Sequence, residues 1–476
     1  MPSKPTPKPI ASHPLLQTRR AGVLLHITSL PSPHGSGDLG PSAFAFADWL
    51  ADAGFTVWQM LPVGPVGYGD SPYSSPSSFA IEPTFLALEP LVADGLLARK
   101  DLRPSRALAK GDCDFAAGRA FRMPLYAKAA AAFRARGGER TGAWKAFVRR
   151  AAWLADWLDF IDDGDDLQRA THAFIQFELD RQWAALRAHC AARGVRLVGD
   201  VPIFVTAESA DVRAHPGLFR LRTDGRPEVL TGVPPDNFTA DGQLWGHPHY
   251  RWDAHRREGF RWWISRIACA AERFDLVRID HFIGFHHAYE VPFGAPNARK
   301  GAWRKAAGRE LLAAMSRSFP ALPLIAEDLG ALTPEVEALR DDFGLAGMRI
   351  VQNAFWSGKS GDMPHNHPAR SVVYSGTHDN ETTAQWWKGR DRAQRDRFRA
   401  YVGDGPVHEA MARIVLASPS ALAVLPMQDL LGLGAEARMN LPGTATGNWR
   451  WRMAAGAASP ALARRMRALV DASGRA

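Results

Sequence analysis

The chain has 476 residues, 46% hydrophobic and 22% charged, enough to bury a large core and without the polar tracts of a disordered protein. Its formal net charge is +9, yet the arginines alternate with acids, as in RDRAQRDRFRA, and no nucleic-acid motif accompanies them. That pattern makes solvated helix faces and excludes a nucleic-acid partner; the lack of apolar runs near about 20 residues excludes a membrane span.

The first segment, MPSKPTPKPIASHPLLQTRR, is proline-rich and has no apolar core of secretory type, so residues 1–20 read as a disordered leader. Cys113, Cys190 and Cys269 are odd in number and form no CxxC pair, which points to buried thiols in the cytoplasm. Short apolar runs then follow at 22–31, 55–62, 195–202, 274–281, 322–330, 347–352, 371–379 and 421–429. They end in Gly, Pro, Asp or His, as strands do when they deliver residues to a site. Most lead into helical periodicity. In TPEVEALRDDFG, Thr333 can cap a helix, Pro334 suits its first position and Gly344 can close it.

Strands alternating with helices imply a parallel sheet, and eight of them predict an α/β fold, a (β/α)8 TIM barrel. Residues 21–476 then form a single catalytic domain. The spacing is uneven, so insertions are expected at about 64–190, which is Ala- and Arg-rich, and at 203–260, which is rich in Pro, Gly, Trp and His. The inserted subdomains are expected to be largely helical.

Barrel enzymes place reactive residues at strand C-termini. In VRIDHF, residues two apart on a strand share a face, so Arg278 and Asp280 both point inward, and the guanidinium favours an ionised carboxylate. A structural ion pair would look the same. LIAEDLG places a carboxylate at another strand end, and spacing alone does not choose between Glu327 and Asp328. SGTHDNET adds His378 and Asp379 after a third run; an Asx turn is the bland alternative. The intervals from 280 to 327 and from 327 to 379 each suit one or two βα units.

Three carboxylates at successive acid-bearing strand ends suit glycoside chemistry, in which one attacks the anomeric carbon and another protonates the leaving oxygen. The second must hold its proton near neutrality, through burial and anionic neighbours. GYGDSPYSS, with Tyr68, Ser71 and Tyr73, and PPDNFTADGQLWG, with Asp236, Phe238, Gln243 and Trp245, carry rings and polar groups of the kind that grip sugars.

VRIDHF, AEDLG and GTHDNET, in this order, resemble the blocks of glycoside hydrolase family 77, the 4-α-glucanotransferases of the α-amylase clan. LLHITSLPSPHGSGDLG, PVGYGDSPYSS, VGDVPIFV, VPPDNF…GQLWG and MNLPGTATGNWRWR extend the resemblance over nearly the whole chain. It implies a TIM barrel acting on maltooligosaccharides, amylose and other α-1,4-glucans, with no metal or organic cofactor. Asp280 resembles the nucleophile, Glu327 the acid/base and Asp379 the transition-state stabiliser. Arg278, His378 and Asp200 would line the subsite of the glucosyl unit under attack. Ser71, Tyr73 and Asp236 resemble donor-side contacts; Phe238, Gln243 and Trp245 would lie on a flexible loop covering the acceptor side. His281, His286 and His287 are then structural. The chain departs from the family pattern at Ile283, Arg213, Asn237 and FAIEP (79–83).

Overall fold

All eight apolar runs contain strands, and these pair in parallel around a barrel. The computed structural model describes residues 12–104, 107–162, 164–235, 239–330, 332–355 and 361–475. In chain order the strands are β1 (Arg20–Leu24), β2 (Val57–Gln59), β3 (Arg196–Val201), β4 (Val229–Val233), β5 (Gln243–Pro248), β6 (Leu276–Ile279), β7 (His287–Pro292), β8 (Ala302–Lys305), β9 (Leu324–Ala326), β10 (Gly347–Ile350), β11 (Ser371–Tyr374) and β12 (Leu422–Pro426). The barrel runs β10-β11-β12-β1-β2-β3-β6-β9. Its strands are buried on both faces, as parallel strands wrapped by helices must be, and so read as continuous apolar runs.

Seven neighbouring pairs form regular parallel ladders. Between β9 and β10 there is only one bridge, Ile325 to Ala346, with Ala326 N–H donating to Ala346 O at 2.9 Å. This is the seam of the barrel. The helix Pro334–Asp342 joins the two seam strands; Pro334 opens it, Thr333 sits at the cap position without making a cap bond, and Gly344 follows at φ 67°.

Between β2 and β3 the first insertion is helical, as expected, with long helices Phe115–Ala135 and Asp166–Ala192. Its outer part has its own aromatic cluster, in which Phe133, Trp144 and Phe147 pack on Phe177. The second insertion differs from the largely helical expectation. It contributes β4 and β5 to an antiparallel sheet ordered β5-β4-β7-β8, completed by strands that follow β6. The partner strands of β4 come from two separate segments, so no local periodicity announces this sheet.

The expectation of a disordered leader over 1–20 is also corrected at its C-terminal end. Residues 1–11 lie outside the described residues, but 12–20 are packed: Leu16 is buried, Ser12 Oγ donates to Gly344 O, and Arg19 donates to the carbonyls of Leu416, Ser418 and Ser473. The arginine side chain adds to the bonds of the stretch itself, in which Leu16 N–H donates to His13 O and Gln17 N–H to Pro14 O.

Candidate active site

Each of the acids stands where a barrel strand ends. Asp200 and Arg278 are opposite in the β3–β6 register. Ile279 and Ala326 are opposite in the β6–β9 register, so Asp280 and Glu327 follow side by side at the rim. Paired strands lie about 4.8 Å apart, which makes these two backbones immediate neighbours.

Arg278 and Asp280 share the inner face, as their spacing predicts. Arg278 Nη1 donates to Asp200 Oδ2 at 2.6 Å and its Nη2 meets Asp280 Oδ1 at 2.8 Å. Burial disfavours the Arg278 charge, but Asp200 and Asp280 more than offset it and hold its pKa well above the usual value. The Tyr73 hydroxyl donates to Asp200 Oδ2 at 2.8 Å. Burial raises the pKa of Asp200 against the pull of Arg278, and that of Tyr73 as well.

Glu327 is buried at the rim. Its Oε2 accepts the His281 N–H at 2.6 Å and its Oε1 the Leu329 N–H at 3.1 Å. His281 reaches it from a left-handed conformation, φ 52°. Burial, reinforced by the charge of Asp280, pushes Glu327 up to about 8 despite Arg278 and the two amides. Asp328 points the other way. Its side chain is fully buried, bonded by Arg340 Nη1 at 2.5 Å and by the Met348 N–H at 2.7 Å. Of the two acids that spacing could not separate, only Glu327 adjoins Asp280.

Asp379 and His378 follow β11 on a turn. Asn440 Nδ2 donates to Asp379 Oδ1 at 2.6 Å, and Arg438 Nη2 to its carbonyl at 2.8 Å. His378 Nε2 is 3.4 Å from Asp379 Oδ2, and burial lowers the histidine pKa, keeping the ring neutral. That ring stacks on Tyr73 with centroids 5.2 Å apart, and Trp449 lies against both. The side chains of Asp280 and Asp379 are 29% and 40% exposed, so both are open to an entering molecule.

The remaining expected contacts divide. Ser71 Oγ accepts the Tyr73 N–H at 3.2 Å, so it caps the turn that presents Tyr73. Tyr68 projects into solvent, 81% exposed, at the tip of the same loop. Gln243 and Trp245, expected on a loop, are in strand β5, because the β4 ladder pairs Gln243 with Val233 and Leu244 with Gly232. Gln243 Oε1 accepts the Trp245 ring N–H at 3.2 Å, and the Trp245 ring meets His281 edge-on at 4.8 Å. Asp236, Asn237 and Phe238 lie outside the described residues.

The departures are absorbed locally. Ile283 is buried beneath the turn after Asp280, and Arg213 donates to Phe160 O. Glu82 of FAIEP, itself buried, accepts from the N–H groups of Val66 and Thr84 and so braces the Tyr73 loop. His286 and His287 bond each other at 2.7 Å, and among the described residues no group of three or more His, Cys, Asp or Glu is arranged for a metal ion. Asn440, Arg438 and Trp449 were missed as site residues. Their only signal was membership of the block MNLPGTATGNWRWR and its flank.

The family model of 4-alpha-glucanotransferase, glycoside hydrolase family 77, matches residues 25–162 and 162–458. A 4-alpha-glucanotransferase of Thermus thermophilus is 42% identical, over 96% of this chain and 99% of its own length. One from Synechocystis sp. is 39% identical, over 92% and 94%. The solved amylomaltase of Streptococcus agalactiae in complex with acarbose superimposes with a TM-score of 0.90 at 32% identity, covering 96% of this chain and 99% of that one.

Proposed function

The chain belongs to glycoside hydrolase family 77, the 4-alpha-glucanotransferases, and we propose that it transfers α-1,4-glucan segments by double displacement at Asp280, Glu327 and Asp379. Asp280 attacks the anomeric carbon of a donor maltooligosaccharide while Glu327 gives its proton to the departing oxygen. The 4-OH of a glucose or glucan acceptor then loses its proton to Glu327 and displaces Asp280, so the anomeric configuration is retained. Asp379, anchored by Asn440, takes sugar hydroxyls that tighten as positive charge develops on the ring.

The observation that carries this reading is the contrast between adjacent acids: Asp280 has Arg278 as counter-ion at 2.8 Å, while Glu327 is lifted to about 8 and keeps its proton at neutral pH. Asp200, Arg278, His378 and Tyr73 form the wall of the subsite under attack. Asp200 Oδ1, buried and without a partner among the described residues, remains to accept a sugar hydroxyl. Ser71 and Asp236 belong to the donor side, with Tyr68 at its outer edge. Gln243, Trp245 and Phe238 belong to the acceptor side, where a sugar must be favoured over water.

The substrates are maltooligosaccharides, amylose and other α-1,4-glucans, and every step draws on side chains alone, with no cofactor or metal. No described helix is long and apolar enough to cross a membrane. Three buried free cysteines fit the reducing cytoplasm as the working compartment. Incubation with maltotriose tests the reaction. A ladder of shorter and longer oligomers with constant reducing ends is the expected result. A stoichiometric gain of reducing ends makes the protein a hydrolase and overturns transfer.

A further inference from the structure

Glu327 is fixed unequally from its two sides. Toward β6 its main chain is bonded twice: Glu327 N–H donates to Ile279 O at 3.0 Å, and Phe282 N–H donates to Glu327 O at 2.9 Å. Toward β10 the ladder is missing, because this is the barrel seam. The next residue fills that gap. Asp328 Oδ1 accepts the Met348 N–H of β10 at 2.7 Å, and Oδ2 accepts Arg340 Nη1 at 2.5 Å from the helix joining the seam strands. Arg340 is held in turn by Asp341, through Nε at 3.0 Å and Nη2 at 3.1 Å. Arg349 Nη1 is a further cation 3.9 Å from Asp328 Oδ2.

Gly347 supports the same arrangement, since a Cβ there would lie 2.3 Å from Asp328 Oδ2. The seam is therefore shaped around this carboxylate. Asp328 also fixes the peptide that follows it, and the Leu329 N–H of that peptide bonds Glu327 Oε1. Its fully buried side chain touches no substrate.

We propose that Asp328 is a positioning residue: it replaces the missing β9–β10 ladder and thereby sets the place of the Glu327 carboxyl at the leaving oxygen. The inference rests on the reading of Glu327 as the acid/base. A shift of about 1 Å in a reacting group costs on the order of a hundredfold in rate. Asp328→Asn keeps the size and the acceptor for Met348 N–H, but turns an NH2 toward Arg340.

The test compares two donors. Maltotriose needs a proton on its leaving oxygen, whereas α-maltosyl fluoride breaks its C–F bond to release fluoride, a leaving group that needs far less help. For Asp328→Asn the expected result is a fall of about a hundredfold in kcat on maltotriose, with KM nearly unchanged, and a largely preserved first-turnover burst of fluoride. Arg340→Lys, which keeps the charge but not the fork, should show the same selectivity more weakly and serves if Asp328→Asn does not fold. Equal losses on both donors, or no loss on either, overturn the proposal. Glu327→Gln separates the two readings. If it too loses the fluoride burst, Glu327 is not the acid; if it spares the burst and the Asp328 and Arg340 variants do not, only the positioning role fails.

Discussion

Two arginines, both almost wholly buried, sit at opposite ends of the barrel and behave oppositely. Arg278, at the rim, is clamped between the carboxylates of Asp200 and Asp280, and its pKa is driven up. Arg475, beneath the first and last strands, has no carboxylate partner among the described residues. It donates to the carbonyls of Arg20, Leu416, Ser418, Ser420 and Ala421, and burial with the nearby Arg19 charge pulls its pKa down. Carbonyls satisfy a guanidinium's geometry without neutralising it, which suits a fixed brace. Carboxylates neutralise it and leave acids that chemistry can use. The rim thus concentrates charge where the proposed reaction takes place, and the base turns hydrogen bonds to stability, the division expected of this architecture.

Substitutions at the two ends should separate activity from stability. The largest effect is expected for Asp280→Asn, which should lower transfer by about 10⁴-fold while melting at no lower temperature, since it relieves a crowded rim. Oligomer analysis and calorimetry on one preparation read both. Arg475→Met should do the reverse, costing about 3–5 kcal/mol of stability by leaving carbonyls unbonded, with activity per folded molecule unchanged. Denaturant titration measures it, and an equal loss of activity would erase the distinction between the two ends. Arg278→Lys should lower kcat by about a hundredfold, because a point charge cannot bond both carboxylates at once.

The smallest and most specific effect is on pH. Glu327 holds its proton up to about 8, so kcat/KM should fall as pH rises through that value. The unfolded chain releases this proton near the ordinary glutamate value, about 4.3. Stability tied to Glu327 is therefore fully present below that value and is lost as pH rises toward 8. Glu327→Gln, which does not titrate, should gain melting temperature over the parent across that window and not below it. A constant difference between pH 4 and pH 8 would refute the raised pKa.

The barrel was readable because each strand is an apolar run closed by a turn or an acid, a signal local to about ten residues. The pairing of Arg278 with Asp280 was readable for the same reason, as strand alternation fixes it. Glu327 and Asp328 were not separable, because what distinguishes them is the seam to β10, some twenty residues downstream, together with the space left at Gly347. The small sheet was hidden by non-local pairing, β4 with β7 across the whole of β6. Asn440 and Trp449 were hidden likewise, since nothing beside them in sequence marks the side chains they meet, Asp379 and Tyr73.

The Tyr73 ring has a consequence for synthesis. It is fixed by Asp200, His378 and Trp449, groups delivered by three later stretches of the chain. The barrel itself closes only when β12 pairs with β1. On the ribosome, the helical insertion can therefore collapse early, but the wall of the proposed subsite has to wait until residue 449 has emerged. A nascent chain stalled between residues 379 and 449 holds all three acids and still lacks the assembled ring cluster around Tyr73.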